Sequence, residues 1–162
     1  MGSKYDPAAL AAAGFLYSTG ASVVSDGVNG AQFCLWNTGS NGLPLTILGI
    51  EVSVTAAMDV TVNEIRKDPA LGNDRFGVSL FSALNKPAGK LESAEAATPA
   101  SDGVINDQQF GTTSNRELMG PGVAHLRPGT GILVSSAAVA GTVSCRFIWA
   151  EIPPAWFDDD GD

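Results

Sequence analysis

The side chains able to do acid–base, nucleophilic or metal chemistry are few and scattered. His125 is the single histidine of the sequence, beside Arg127 in a stretch framed by Pro121 and Pro128. A catalytic histidine needs a carboxylate to orient it and a nucleophile within reach. No spacing in the sequence supplies either, so His125 reads as a structural or interface residue. Cys34 and Cys145 are the two cysteines. With one histidine they fall short of a zinc site of ordinary ligand spacing and read as small buried hydrophobes with free thiols. Gly120-Pro121-Gly122 and Pro128-Gly129-Thr130-Gly131 lack both the G-x-x-x-x-G-K-[ST] pattern and the strand-to-helix setting of a phosphate loop. They read as turns. Glu51, Glu64, Glu117 and Glu151 lie on or near strands. Paired carboxylates hydrolyse glycosides when their separation is right, and a polar strand face accounts for these four equally well. Asp158 to Asp160 would hold calcium only if a loop completed six or more oxygen ligands. The expectation is no metal, no cofactor and no enzymatic activity.

What positions these residues is a chain of 162 residues, a length at which one domain is the default. At this size roughly two thirds of the unfolded surface is buried on folding, enough for a core without disulfides or metals. Hydrophobic residues at 44% against charged residues at 16% exclude a disordered chain. The net charge of −8 sets the protein's own field against phosphate backbones and anionic membranes. No apolar run approaches the roughly 18 residues of a spanning helix. Neither nucleic acid nor membrane is an expected partner.

Period-two alternation and closely spaced turn dipeptides dominate, and helical three-four spacing is nearly absent. The chain reads as all-β. Asp26-Gly27, Asn29-Gly30, Asn41-Gly42 and Asp102-Gly103 mark reversals. Strands are expected over Ala31 to Trp36, Leu45 to Val54, Met58 to Arg66 and Phe76 to Leu84, with Phe76, Val78 and Leu80 in phase. Ile50, Val52 and Val54 share one face of the second against Glu51, Ser53 and Thr55. Residues 85–131 read as long surface loops holding short strands, at Val104 to Phe110 and Val123 to Leu126. A final pair is expected over Gly131 to Val139 and Thr142 to Ile152, with Val143, Cys145, Phe147 and Trp149 on the core side. About eight antiparallel strands suit a jelly-roll sandwich better than a propeller or an immunoglobulin domain.

At the start, Asp6 as N-cap and Pro7 at the first helical position predict a short helical turn stopped by Gly14. This reading is preferred to a signal peptide, because Asp6 and Pro7 break the basic lead-in and alanine is feebly hydrophobic. Residues 1–20 are expected to form an N-terminal arm, 21–154 the sandwich and 155–162 a solvated acidic tail. Trp36, at a strand end, reads either as a core-edge aromatic or as an interface anchor. Trp156 and Phe157 are further interface candidates.

The segment Gly131 to Glu151, GILVSSAAVAGTVSCRFIWAE, together with the Leu45 to Arg66 pair, resembles the strand texture of jelly-roll proteins on tailed-bacteriophage virions. It most resembles the small trimeric head decoration, or cement, proteins. That resemblance implies a homotrimer on the capsid exterior, bound to the major capsid protein through an N-terminal arm. The residues matching such an arm are Tyr5, Leu10, Phe15, Leu16 and Tyr17. The alternative is a receptor- or glycan-binding head domain of a tail fibre or spike, using loops from 85–130.

Overall fold

The computed structural model describes residues 6–79, 87–111, 114–119 and 124–153. The Asp6 side chain accepts the Ala8 N–H at 3.0 Å and opens α1 (Pro7–Ala12), with Pro7 in the first turn. Among the described residues twelve strand segments follow: β1 (Leu16–Ser25), β2 (Gly30–Asn37), β3 (Leu45–Val54), β4 (Met58–Ile65), β5 (Arg75–Phe76), β6 (Val78–Ser79), β7 (Gly89–Ala96), β8 (Gly103–Phe110), β9 (Ser114–Met119), β10 (Ala124–Leu126), β11 (Gly131–Ser136) and β12 (Gly141–Ala150).

They form two antiparallel sheets packed as a sandwich. The first, sheet A, runs β10-β3-β12-β1-β6, with β9 also paired to β3; the second, sheet B, runs β5-β7-β2-β11-β4-β8. The connections β1–β2, β2–β3, β3–β4, β8–β9, β10–β11 and β11–β12 therefore cross from one sheet to the other. This alternation is compatible with a jelly roll, with β5 to β7 as an insertion that extends the sandwich beyond β2.

Several expectations are corrected. β11 and β12 are not a hairpin, because β11 lies between β2 and β4 whereas β12 lies between β1 and β3. The same holds for β3 and β4. Phe76 to Leu84 is not one strand: β5 joins β7 in sheet B, β6 joins β1 in sheet A, and Gly77 turns between them. Leu80 to Leu84 lie outside the described residues. The stretch from 85 onward holds β7, eight residues long, and β9, where long loops were expected, while the short strands expected at Val104 to Phe110 and Val123 to Leu126 are present as β8 and β10. Of the glycines expected at reversals, Gly27 does adopt a positive φ of 94°. Gly30 instead opens β2, where an added Cβ would meet the Ser136 carbonyl oxygen at 2.0 Å.

The inward faces follow the alternation. Phe33, Leu35, Ile50, Val52, Val54, Met58, Val60, Val62, Val143, Cys145, Phe147 and Trp149 all enter one core. Trp149 is its largest fully buried side chain. It stacks on Tyr17, ring centroids 5.9 Å apart and 23° between planes, and its indole N–H donates to Glu151 Oε1 at 3.0 Å. Burial, and then the charge of Glu151, hold the Tyr17 hydroxyl above its usual pKa. The backbone of the neighbouring elements lies flat against the indole. A Cβ at Gly89 would lie 2.6 Å from ring atoms of Trp149, and one at Gly77 2.4 Å.

Glu151 completes this end of the sandwich. Its carboxylate, nearly inaccessible, accepts the N–H groups of Ala88 (2.9 Å) and Gly89 (3.0 Å) as well as the indole, and the Asn41 amide donates to its other oxygen. The end of β12 is thereby joined to the start of β7 in the opposite sheet and to the β2–β3 loop.

Gly89→Ala should destabilise the fold by about 1–3 kcal/mol, since backbone and ring cannot both keep their places; urea unfolding followed by tryptophan fluorescence measures this.

Candidate functional site

The residues expected to form an arm sit inside the body. Leu10 is fully buried, with Leu16, Leu48, Ala150 and Ile152, in a cluster where α1 roofs part of the outer face of sheet A. A bulge at Ile148/Trp149 turns Leu48 outward to join it. Phe15 is half-buried against the same cluster, and Tyr17 faces the central core. The arm expectation is corrected for these four: residues 16–20 are the first half of β1, a strand bonded along its whole length to β12. The expected boundary at residue 20 cuts that strand. Tyr5, Trp156, Phe157 and the acidic tail lie outside the described residues. Trp36 is half-buried and packs on Cys34, Ile65 and Leu133 on the outer face of sheet B, beside Leu71.

That outer face of sheet B is covered. The segment between β4 and β5 lies over it: Leu71 N–H donates to Glu92 Oε2 at 2.8 Å, and Ser93 N–H donates to the Gly72 carbonyl at 3.1 Å. Lys90 binds this strap through Glu92, Asp68 at 3.3 Å and Asp74 at 3.7 Å. Burial would lower the Lys90 pKa, but hydrogen bonding and charge from Glu92 and Asp68 outweigh it and raise the value.

The outer face of sheet A is different. Beyond the patch roofed by α1, its outward residues are Ser18, Gly20 and Ser22 on β1, Ser144 and Arg146 on β12, and Glu51 and Ser53 on β3, all half-buried or exposed. All but Ser18 line a shallow trough of about 500 Å³, with Arg75 at its rim. Arg75 donates to the Gly20 carbonyl at 3.0 Å, and Arg146 Nε donates to the Ser18 hydroxyl at 3.0 Å. The Ser22 and Ser144 hydroxyls bond each other at 2.6 Å. Arg146 Nη1 stands 3.6 Å from Glu51 Oε2, with both side chains about half exposed, so this is an ion pair beyond hydrogen-bond length. The β3–β9 register sets Glu117 opposite Glu51. Charge therefore changes sign across the strands, from Arg75 and Arg146 on the β1 side to Glu51 and Glu117 on the β9 side.

Of the other candidates, His125 Nδ1 lies 3.1 Å from the Thr46 hydroxyl, and the ring lines a small cleft with Glu64, Arg66, Arg127 and Thr130. Arg66 pairs with Glu64 at 3.4 Å. Among the described residues no three His, Cys, Asp or Glu side chains converge where they could hold a metal ion. Cys34 and Cys145 are free, buried and in opposite sheets, and burial raises both thiol pKa values. Compared with protein families, curated proteins and solved structures, the chain finds no match.

The sequence reading found Glu51 as a strand carboxylate and missed the trough. Its serines, glycine and arginines carry no local spacing signal, and they meet only because β1, β12 and β3 are adjacent.

Neither cysteine should react with Ellman's reagent at pH 8 in the folded protein, and both should react once denatured; a fast native phase would mean that one thiol is reached by solvent. Leu10→Ala should cost about 2–5 kcal/mol of stability, as for a core leucine, where an arm residue would cost almost nothing; denaturant unfolding of the variant distinguishes the two.

Proposed function

We propose that this protein is a virion structural protein, a trimeric decoration or cement protein on the exterior of a phage capsid, bound to the major capsid protein. The observation that carries the reading is the sheet A face: small hydroxyl side chains and glycine around one Arg146–Glu51 pair, on a rigid sandwich, in a chain with only 16% charged residues. Such a face lets another backbone approach closely, and burying it between subunits accounts for the low ionic surface. Jelly-roll sandwiches are a common capsid architecture, and the strand order is compatible with one.

With Leu10, Leu16 and Tyr17 inside the body, the capsid contact falls to the loop end near β1 and β2. Val24 and Val28 are 69% and 75% exposed there. The Asp26 carboxylate accepts the Val28 N–H at 2.8 Å, and the Ser25 hydroxyl donates to the Asn29 carbonyl at 2.6 Å. The turn is thus held in one shape before it meets a partner, which lowers the entropy lost on docking.

A second reading, a glycan-binding head domain of a fibre or spike, is favoured by the trough, whose hydroxyl, guanidinium and carboxylate groups are those that bind sugar hydroxyls.

Light scattering during gel filtration should give a mass three times that of the chain. Electron microscopy of particles with and without the protein should show it on the capsid exterior, and Val24→Asp with Val28→Asp should abolish occupancy while the fold persists. A monomer at high concentration that adds to no particle overturns the decoration reading.

A further inference from the structure

We infer that the trough on sheet A binds an acidic monosaccharide unit, with the ligand carboxylate against Arg75 and Arg146 and its hydroxyls on Ser22, Ser144 and Glu51. This inference rests on the glycan-binding reading and names the class of sugar.

The polarity of the trough is the first reason. In a chain of net charge −8, the guanidinium groups of Arg75 and Arg146 line the depression, with Glu51 on β3 as the one carboxylate across from them. A neutral sugar meets both sides with hydroxyls alone and leaves the guanidinium charge unmatched. A sugar acid presents an anion at one end and a set of hydroxyls at the other, which matches both sides at once. The fixed geometry is the second reason. Arg75 is anchored through the Gly20 carbonyl and Arg146 through the Ser18 hydroxyl, so each is oriented with N–H groups left to donate. The Arg146 to Glu51 separation of 3.6 Å leaves a carboxylate free to replace a weak pairing with a charge-assisted hydrogen bond. Gly20 and the short serines keep the floor low, and the volume of about 500 Å³ falls within the range of small-molecule sites. Arg146 and Glu51 are about half exposed, so access needs no rearrangement.

The test is a titration of the full-length, isotope-labelled protein by amide NMR with N-acetylneuraminic acid, galacturonic acid and galactose, each to about 20 mM, a range that reveals millimolar binding. The acids should shift amides of β1, β12 and β3 around residues 18–22, 51–53 and 144–146, and bind about tenfold tighter than galactose, a difference of about 1.4 kcal/mol. Arg146→Gln should remove that preference while the melting temperature is unchanged. If that variant fails to fold, Arg75→Gln on a two-residue edge segment gives the same readout. Equal binding of galactose and the acids overturns this inference and leaves the glycan-binding reading standing. No shift with any of the three sugars overturns both.

Discussion

The buried carboxylate of Glu151 is the interaction on which the rest of the sandwich depends. A carboxylate withdrawn from water is costly unless its lone pairs are met, and among the described residues no cation pairs with it. Two backbone N–H groups, an indole N–H and an amide do so instead. The two backbone N–H groups and the indole N–H would themselves be orphaned in the interior if the carboxylate were absent. One side chain thus satisfies groups from the end of β12, the start of β7 and the β2–β3 loop. It also fixes the Trp149 indole, and through its stack on Tyr17 it fixes where β1 must lie.

The alternation of side chains identified the core correctly for β3 and β12, because burial on one face is a local property of a strand. Pairing is not local. Alternation says which face is wet and nothing about which strand lies alongside. The three residues Thr55 to Ala57 and the four residues Ala137 to Ala140 arch over the roughly 10 Å between packed sheets. Read along the chain, each looks like a hairpin turn. β7 was missed for a different reason. In Lys90-Leu91-Glu92-Ser93-Ala94-Glu95 the polar residues suggested a loop, yet Glu92 is among the most buried groups in the molecule because Lys90 and the Leu71 N–H meet its charge. β1 was hidden by its alanine, glycine and serines, which have weak strand propensity and gain their conformation from β12.

The outer faces of the two sheets are handled in opposite ways. On sheet B a strap pinned by Lys90 covers Cys34, Ile65 and Leu133. On sheet A the apolar part is roofed by α1, and the polar part is left to water or to a ligand. The Leu10 helix therefore limits how much of sheet A a partner can reach, and the trough begins where that roof ends. The N-terminal residues that looked like an outward-reaching tether serve the body's own architecture.

β12 is central in sheet A, between β1 and β3, and it follows every other described strand in sequence. Ser22 and Ser144, hydrogen-bonded across the β1–β12 ladder, are 122 residues apart in sequence. During synthesis β1 has no neighbour on that side until β2 to β11 have emerged and β12 has followed. The long loop must close before any of that ladder's hydrogen bonds can form, which places this fold among the slow, non-local folders. Sheet B, whose β2, β4, β7, β8 and β11 all precede β12, can assemble first. Its inner face then waits, apolar and exposed, for the final strand to close the sandwich over it.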